Sequence, residues 1–357
     1  MLVSGAMAAQ RAEEIARRKR RRKLVKGLLI GGAAIGLPTL VNTLIQRRAG
    51  RLPPPSWGRP LTFDGVPGSI HYQHLGPRRE DGPENGGEGD PVFVLLHSFG
   101  PGHGAEEWRE AAELLAARHT VYVPDWPGWG RSSWPSRLQS WKRNVHLLED
   151  FLDRVVRRPA VVVAAGQSAA YAVRAAAAPV TRPDTAGKPR IAALGLVCPS
   201  GLGLHRHEPG LPDAVVHRLL TTPLLGTSAL NIYTRRAGLE EHLRDIYGRP
   251  DRVTPELVER HYAASHQRGA HRTLAAYLAG HLYLELEDEH LDRLSHPVWL
   301  AWGRRSHHPP VEEADLWLSR LPGRASLRVF EDSGRLPHAE EPAAFVEALE
   351  AFLAGLE

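Results

Sequence analysis

The stretch Ala160-Val161-Val162-Val163-Ala164-Ala165-Gly166-Gln167-Ser168-Ala169-Ala170 decides the fold. Its first six residues are small or β-branched and uncharged, as a strand buried on both faces requires. An Ala-rich helical stretch, Ala169 to Ala178, follows at once. A strand that runs straight into a helix through Gly-x-Ser-x-Ala has the layout of a nucleophile turn. The serine there sits in a strained backbone conformation, and its neighbours two residues away must be small to clear the adjacent strand and helix. Gly166 and Ala170 satisfy this around Ser168. An ordinary serine capping a helix after a strand gives the same letters, so the stretch alone leaves both readings open.

Working outward, Val92–Leu96, Thr120–Val123, Ile191–Val197, Val298–Trp302 and Ser326–Phe330 are further buried-strand runs. Two shorter strands are expected around Leu61–Phe63 and Ser69–His74. Helical spacing marks Glu106–Arg118 and Ser140–Val156 between strands. Alternating strand and helix implies crossovers and a mostly parallel sheet. From Ser200 to His296 the alternation stops; helical pieces such as Pro255–Ser265 and Arg272–Leu282 occur without a clear strand.

Two loops add chemistry. His97-Ser98-Phe99-Gly100 follows the first buried strand, where a backbone N–H can serve an oxyanion hole; the N–H groups of Phe99 and Ala169 are the candidate donors. Gly334-Arg335-Leu336-Pro337-His338-Ala339-Glu340-Glu341-Pro342 follows the last strand. A histidine there can reach over the sheet edge as general base, and the chain order, serine then histidine, selects His338. Asp125-Trp126-Pro127-Gly128-Trp129-Gly130-Arg131-Ser132 reads as a structural loop beside the site.

Together, HSFG (97–100), DWPGWGRS (125–132), GQSAA (166–170), PVWLAWG (297–303) and GRLPHAEEP (334–342) resemble the α/β-hydrolase superfamily, in the branch related to haloalkane dehalogenases, epoxide hydrolases and carboxylesterases. The resemblance runs from about Leu61 to Phe352. It implies an α/β-hydrolase core over 61–199 and 297–357, with residues 200–296 as a helical cap inserted between the fourth and fifth buried strands. Leu219, Leu220, Leu224, Leu225, Ile232, Tyr233, Tyr277 and Leu278 are either pocket lining or helix-core packing in that cap. The resemblance also implies acyl transfer, because Ser168 stands where dehalogenases and epoxide hydrolases carry Asp.

The sequence departs from the family at the acid. Three residues after Trp302-Gly303, where Asp is usual, stands Ser306; the alternative position after the preceding strand reads Cys198-Pro199-Ser200-Gly201. The expected substitutes are Ser306 itself, Glu312 or Glu313, or a bare Ser168–His338 pair.

Charge and composition bound the partners. The net charge is +5, yet residues 1–51 hold twelve Lys/Arg against two Glu, which leaves the rest of the chain acidic. A nucleic-acid binder spreads basic surface over its folded body, so no nucleic acid is expected. The basic tail (1–26) precedes 20 charge-free residues, 27–46, which read foremost as a single membrane-spanning helix, and otherwise as an interfacial helix, a cleaved signal or a helix packed on the body. A Pro-rich linker completes the segment at 47–60. The heavier basic flank before the span orients the body outside the cytoplasm. One cysteine, Cys198, excludes a disulfide within the chain and a multi-thiolate zinc site. His261, His266 and His271 lack the i, i+4 spacing of a metal-binding helix face, so neither metal nor cofactor is expected. The expectation is a membrane-anchored serine hydrolase acting on a small or medium apolar ester. A binding or scaffold protein that has lost catalysis, or a cofactor-independent lyase, competes with it.

Overall fold

The computed structural model describes residues 38–65, 68–77, 91–134, 138–178, 190–203, 210–222 and 225–356. Eight strands form one sheet: β1 (Arg59–Asp64), β2 (Ser69–Leu75), β3 (Val92–Leu96), β4 (Thr120–Pro124), β5 (Ala160–Ala165), β6 (Ile191–Val197), β7 (Val298–Gly303) and β8 (Ala325–Phe330). Their order is β1-β2-β4-β3-β5-β6-β7-β8. β1 and β2 are antiparallel to their neighbours; the pairs from β4 to β8 are parallel. This is the α/β-hydrolase architecture that the sequence leads one to expect.

The buried runs show the period of two that a doubly covered sheet imposes. In β3, Val94 and Leu96 join the core on one face, while Phe93 and Leu95 join the core on the other. The first face is covered by α3 (Trp141–Phe151), α4 (Gln167–Ala176) and, beyond the cap, α11 (Ala314–Arg320). The second is covered by α2 (Arg109–Leu115) and α13 (Pro342–Ala354), through Ala111, Leu115, Phe345 and Leu349. A short helix, α12 (Pro337–Glu340), follows β8.

Between β6 and β7 lie α5 (Leu211–Leu220), α6 (Leu225–Tyr233), α7 (Arg236–Ile246), α8 (Pro255–Ser265), α9 (Ala270–Leu278) and α10 (Asp288–Asp292), with no strand among the described residues. Leu239, Leu243, Ile246, Val258 and Tyr262 pack into a separate apolar cluster there. Of the cap side chains weighed as pocket lining or packing, Leu220 and Tyr277 do pack on the core. Leu219, Leu225, Ile232, Tyr233 and Leu278 are exposed, as are Leu211, Val215 and Val216. Leu224 lies outside the described residues.

The N-terminal expectation needs correction. Residues 38–49 form a helix, α1, that lies against the cap. Asn42 is buried; its amide donates to Ser228 Oγ (3.2 Å) and accepts from Asn231 Nδ2 (2.8 Å) on α6. Ile45 and Ala49 pack on the cap cluster. A side chain satisfied by protein partners is not facing hydrocarbon, so this half of the charge-free run is committed to the cap. Residues 1–37 lie outside the described residues. No described helix is long and apolar enough to cross a membrane.

Candidate functional site

The site lies where strand ends converge, beyond the C-terminal ends of β3, β5, β6, β7 and β8. β5 ends at Ala165, and α4 begins at Gln167. The residue between them, Gly166, carries φ 57° and ψ −124°. That is the strained turn conformation in which the fold presents its nucleophile. Ser168 is not at the turn. It is the second residue of α4, wholly buried, and its hydroxyl is consumed by the core: Trp126 Nε1 donates to it at 2.8 Å, and it donates to the His97 carbonyl at 2.5 Å. The small residues that flank the turn at two-residue offsets are Ala164 and Ser168 themselves.

His338 also departs from its expected place. Its ring lies on α12, fully buried, stacked on Trp108 at 3.7 Å, and neither ring nitrogen has a hydrogen-bond partner. The nearest carboxylate is Glu107, whose Oε1 lies 3.4 Å from His338 Nε2. Glu312 and Glu313, offered as substitutes for the acid, follow β7 in a single helical turn, Glu312 exposed, and neither bonds the ring. Ser306 is buried and donates to the Pro309 carbonyl at 2.7 Å, so it does not orient the histidine.

The side chain that faces the turn is Arg335. A Cβ built on Gly166 would lie 3.1 Å from Arg335 Nη2 and 3.5 Å from Ser98 Cβ. The Arg335 backbone N–H donates to Ile246 O at the end of cap helix α7 (2.7 Å). Gly334 beside it is obligatory: a Cβ there would sit 2.5 Å from Gly248 N and from Ile246 O. Buried Glu340 holds the same turn, accepting from Gly334 N and Arg249 N, both at 2.8 Å. Burial raises its carboxyl to about 7. Behind Gly166 stands Cys198, whose thiol burial pushes up to about 11. Cys198 lies near both Arg335 and Ser306, and Gly166, Arg335 and Ser306 do not form a nucleophile–base–acid set.

The expected oxyanion donors divide. Phe99 lies on the loop after β3, and its N–H has no acceptor among the described residues. The Ala169 N–H is already donated to Gly166 O (3.2 Å). The residue after the turn is Gln167, whose N–H opens α4 and so lacks an intrahelical acceptor. The Gln167 side chain donates to Leu284 O (3.2 Å), which ties the turn to the end of the cap. The Phe99 ring stacks on Trp129 (5.4 Å) and meets Tyr171 and Tyr277 edge-on or tilted, so one wall is aromatic.

Sequence reasoning missed a buried polar cluster next door. Glu107 accepts from Ser98 N (2.7 Å) and Ser98 Oγ (2.9 Å), and His103 Nδ1 lies 3.1 Å away. His103 Nδ1 is also 2.8 Å from Ser98 Oγ, and its Nε2 faces His242 Nε2 at 3.4 Å. Despite desolvation, His103 and His338 hold the Glu107 carboxyl well below its ordinary range. Burial lowers His242 and His261 to about 3. Glu106-Glu107 reads in sequence as solvated helix charge; only the three-dimensional closure of Ser98 and His103 over it reveals the cluster. Asp125 takes the structural role expected of its loop, accepting from Ala105 N (2.7 Å) and Arg131 N (2.9 Å).

Comparison with known proteins agrees with this fold. An uncharacterised protein of Mycobacterium tuberculosis is 25% identical over 279 residues, covering 74% of this chain and 75% of that protein. A crystal structure of a membrane phospholipase A, described as a bacterial virulence factor, superposes with TM-score 0.61 at 20% identity, over 96% of this chain and 98% of that one. An esterase from Exiguobacterium antarcticum gives TM-score 0.62 at 16% identity, over 84% and 100%. A bromoperoxidase from Bacillus anthracis gives 0.63 at 18%, over 83% and 100%. Residues 93–348 match the family model described as Alpha/beta hydrolase family, and with the nucleophile turn, the eight-stranded sheet and the cap in place, the chain belongs to that family.

Proposed function

We propose that this chain is a ligand-binding member of its family that does not use the family's serine–histidine hydrolysis. One observation supports the reading above all: glycine occupies the nucleophile turn and a guanidinium faces it. Glycine offers no nucleophile, and arginine remains protonated and takes no proton as a base. A membrane-anchored esterase built on Ser168 and His338 has no comparable support, since the Ser168 hydroxyl is spent on His97 and Trp126 and the His338 ring faces Glu107 (3.4 Å) rather than a free serine.

A second reading has one specific contact in its favour. Ser98 Oγ lies 2.8 Å from His103 Nδ1 with Glu107 alongside, a serine, histidine and carboxylate near the turn. Its geometry is poor for attack. Serine and carboxylate meet the same ring nitrogen, whereas a relay needs them on opposite ones. The Ser98 hydroxyl donates to Glu107 rather than to the ring.

The exposed apolar face of the cap supports action at a lipid surface. Leu211 (85% exposed), Val215 and Leu219 on α5 adjoin Leu225 (73%) and Ile232 on α6, and Leu40, Val41 and Leu44 extend along α1. Soluble monomers rarely expose apolar area so continuously. The flanking Arg47 and Arg48 suit anionic headgroups. The experiment that tests the central reading is labelling of the full chain with a fluorophosphonate, alongside Ser98→Ala and Ser168→Ala. No adduct is expected; an adduct abolished by either substitution would restore a serine hydrolase.

A further inference from the structure

The helix α1 has two faces. Asn42, Ile45 and Ala49, spaced by three and four residues, meet the cap. Leu40, Val41 and Leu44 fall on the other side and are exposed. α6 holds α1 through Asn42 and packs against α5. On α5, Leu211, Val215 and Leu219 recur every four residues, one stripe of a helix, and all are exposed. With histidine counted neutral, the charges on α1, α5 and α6 are Arg47, Arg48, Arg218 and one acid, Asp213. Asp213 accepts from the Gly210 N–H where α5 begins (2.7 Å). The chain beyond residue 51 is acidic as a whole, so these three helices are its basic exception.

We infer that the chain sits on one leaflet of an anionic membrane, with α1, α5 and α6 at the interface, and that its basic tail stays on the same side as its folded body. This topology rests on the lipid-surface reading above and specifies how the surface is met. The charge-free run 27–46 is long enough to span a bilayer only if all of it is free to do so. Asn42 is buried against Ser228 and Asn231, and Ile45 packs behind it, so the run from residue 38 onward is held by the cap. Residues 27–37 are what is left. As a helix they would rise about 16 Å, against a hydrocarbon thickness of roughly 30 Å. A more extended path would leave backbone N–H and C=O groups unpaired in hydrocarbon. The basic run 17–23 therefore meets the same headgroups as Arg47 and Arg48. An outward apolar stripe bordered by arginines is what a helix lying in the interface plane requires.

The test uses the full chain on vesicles of phosphatidylglycerol and phosphatidylcholine. Leu219→Cys, Ile232→Cys and Arg118→Cys each carry an environment-sensitive fluorophore; the native Cys198 is buried and does not compete for it. Arg118 is the control, exposed just before β4 at the edge of the sheet away from the site. The dyes at 219 and 232 should shift to the blue and be quenched by lipids brominated high on the acyl chain, and the dye at 118 should do neither. Thermal unfolding confirms that all three variants are folded. Vesicle-bound protein with no shift at 219 and 232 overturns the face. Equal binding to phosphatidylcholine alone overturns the anionic assignment. A lipid-free dimer that Leu219→Asp disrupts assigns the face to a second copy and overturns the membrane. For topology, the chain with an epitope tag at each end is synthesised in the presence of sealed vesicles and treated with protease from outside. Loss of both tags is expected; one tag protected and the other lost overturns the one-leaflet arrangement while leaving lipid binding intact. Fluorophosphonate labelling is read separately: a serine adduct would remove the non-hydrolysing reading and leave the topology standing.

Discussion

Arg335 Nη2 stands 3.1 Å from the Cβ position of Gly166, so the turn that presents a nucleophile in this fold presents a bare backbone to a cation. The contact accounts for both departures at once. A side chain at 166 would press on the guanidinium, and a histidine at 335 would have nothing to activate.

Restoring the set should restore chemistry. Gly166→Ser, Ser306→Asp and Arg335→His together should hydrolyse p-nitrophenyl butyrate at least tenfold faster than any of the three alone, because such groups act as a unit. Serine at φ 57° costs about 1–3 kcal/mol of backbone strain, which the fold tolerates at this turn. Ser306→Asp by itself should leave the rate at background. If the triple variant is also inert, the oxyanion donors are not where Phe99 and Gln167 place them.

Ser168→Ala should change stability and not ligand binding. It leaves the buried Trp126 Nε1 without its acceptor at 2.8 Å, a loss of about 1–3 kcal/mol measured by urea unfolding. A variant of wild-type stability would contradict the buried role.

The buried histidines set an acid limit. His242 and His261 have folded values near 3 against 6.5 in the unfolded chain, so between those values the unfolded chain binds protons that the fold refuses. Their stabilisation is complete above pH 6.5 and declines as pH falls, by up to about 1.4 kcal/mol per pH unit for each ring. Glu340 opposes them: its value near 7 against 4.5 makes the fold keep a proton, so its contribution weakens as pH rises through that window. Burial lowers the His97, His266 and His338 rings as well, so the rings together outweigh one carboxyl and the urea midpoint should fall from pH 6.5 to 5. His242→Gln should make that fall shallower; an unchanged slope would show that His242 does not titrate on unfolding.

The apolar cap face should govern lipid attachment. Val215→Asp with Leu219→Asp should reduce co-sedimentation of the full chain with anionic vesicles several-fold, without lowering thermal stability, since both side chains are exposed. Undiminished sedimentation would assign attachment to the N-terminal segment alone.

The sheet was legible because its strands are buried on both faces, which leaves continuous uncharged runs such as Val92–Leu96 and Ala160–Ala165 that no other element mimics. The site was legible only to within a few residues. Ala164-x-Gly166-x-Ser168 and Gly166-x-Ser168-x-Ala170 both satisfy the small-residue rule, and the visible hydroxyl favours the second; only the backbone angle at Gly166 selects the first. Likewise His338 lies three residues beyond Arg335 on the same loop, and a lone arginine in an acidic stretch carries no catalytic signal. The cap was located by the absence of strand pattern, but the orientation of its apolar residues depends on how α5, α6 and α9 pack, which periodicity does not specify.

Asn42 binds Ser228 and Asn231 of α6, and the other end of this assembly, Ile246 on α7, takes the backbone N–H of Arg335. The consequence is mechanical. Tension applied to the N-terminal segment must first part α1 from α6, and only then does the chain pass it along residues 50–58 to the edge strand β1. The tail is thus latched to the cap ahead of the sheet, and in single-molecule pulling from the N-terminus α1 should peel from the cap before β1 yields.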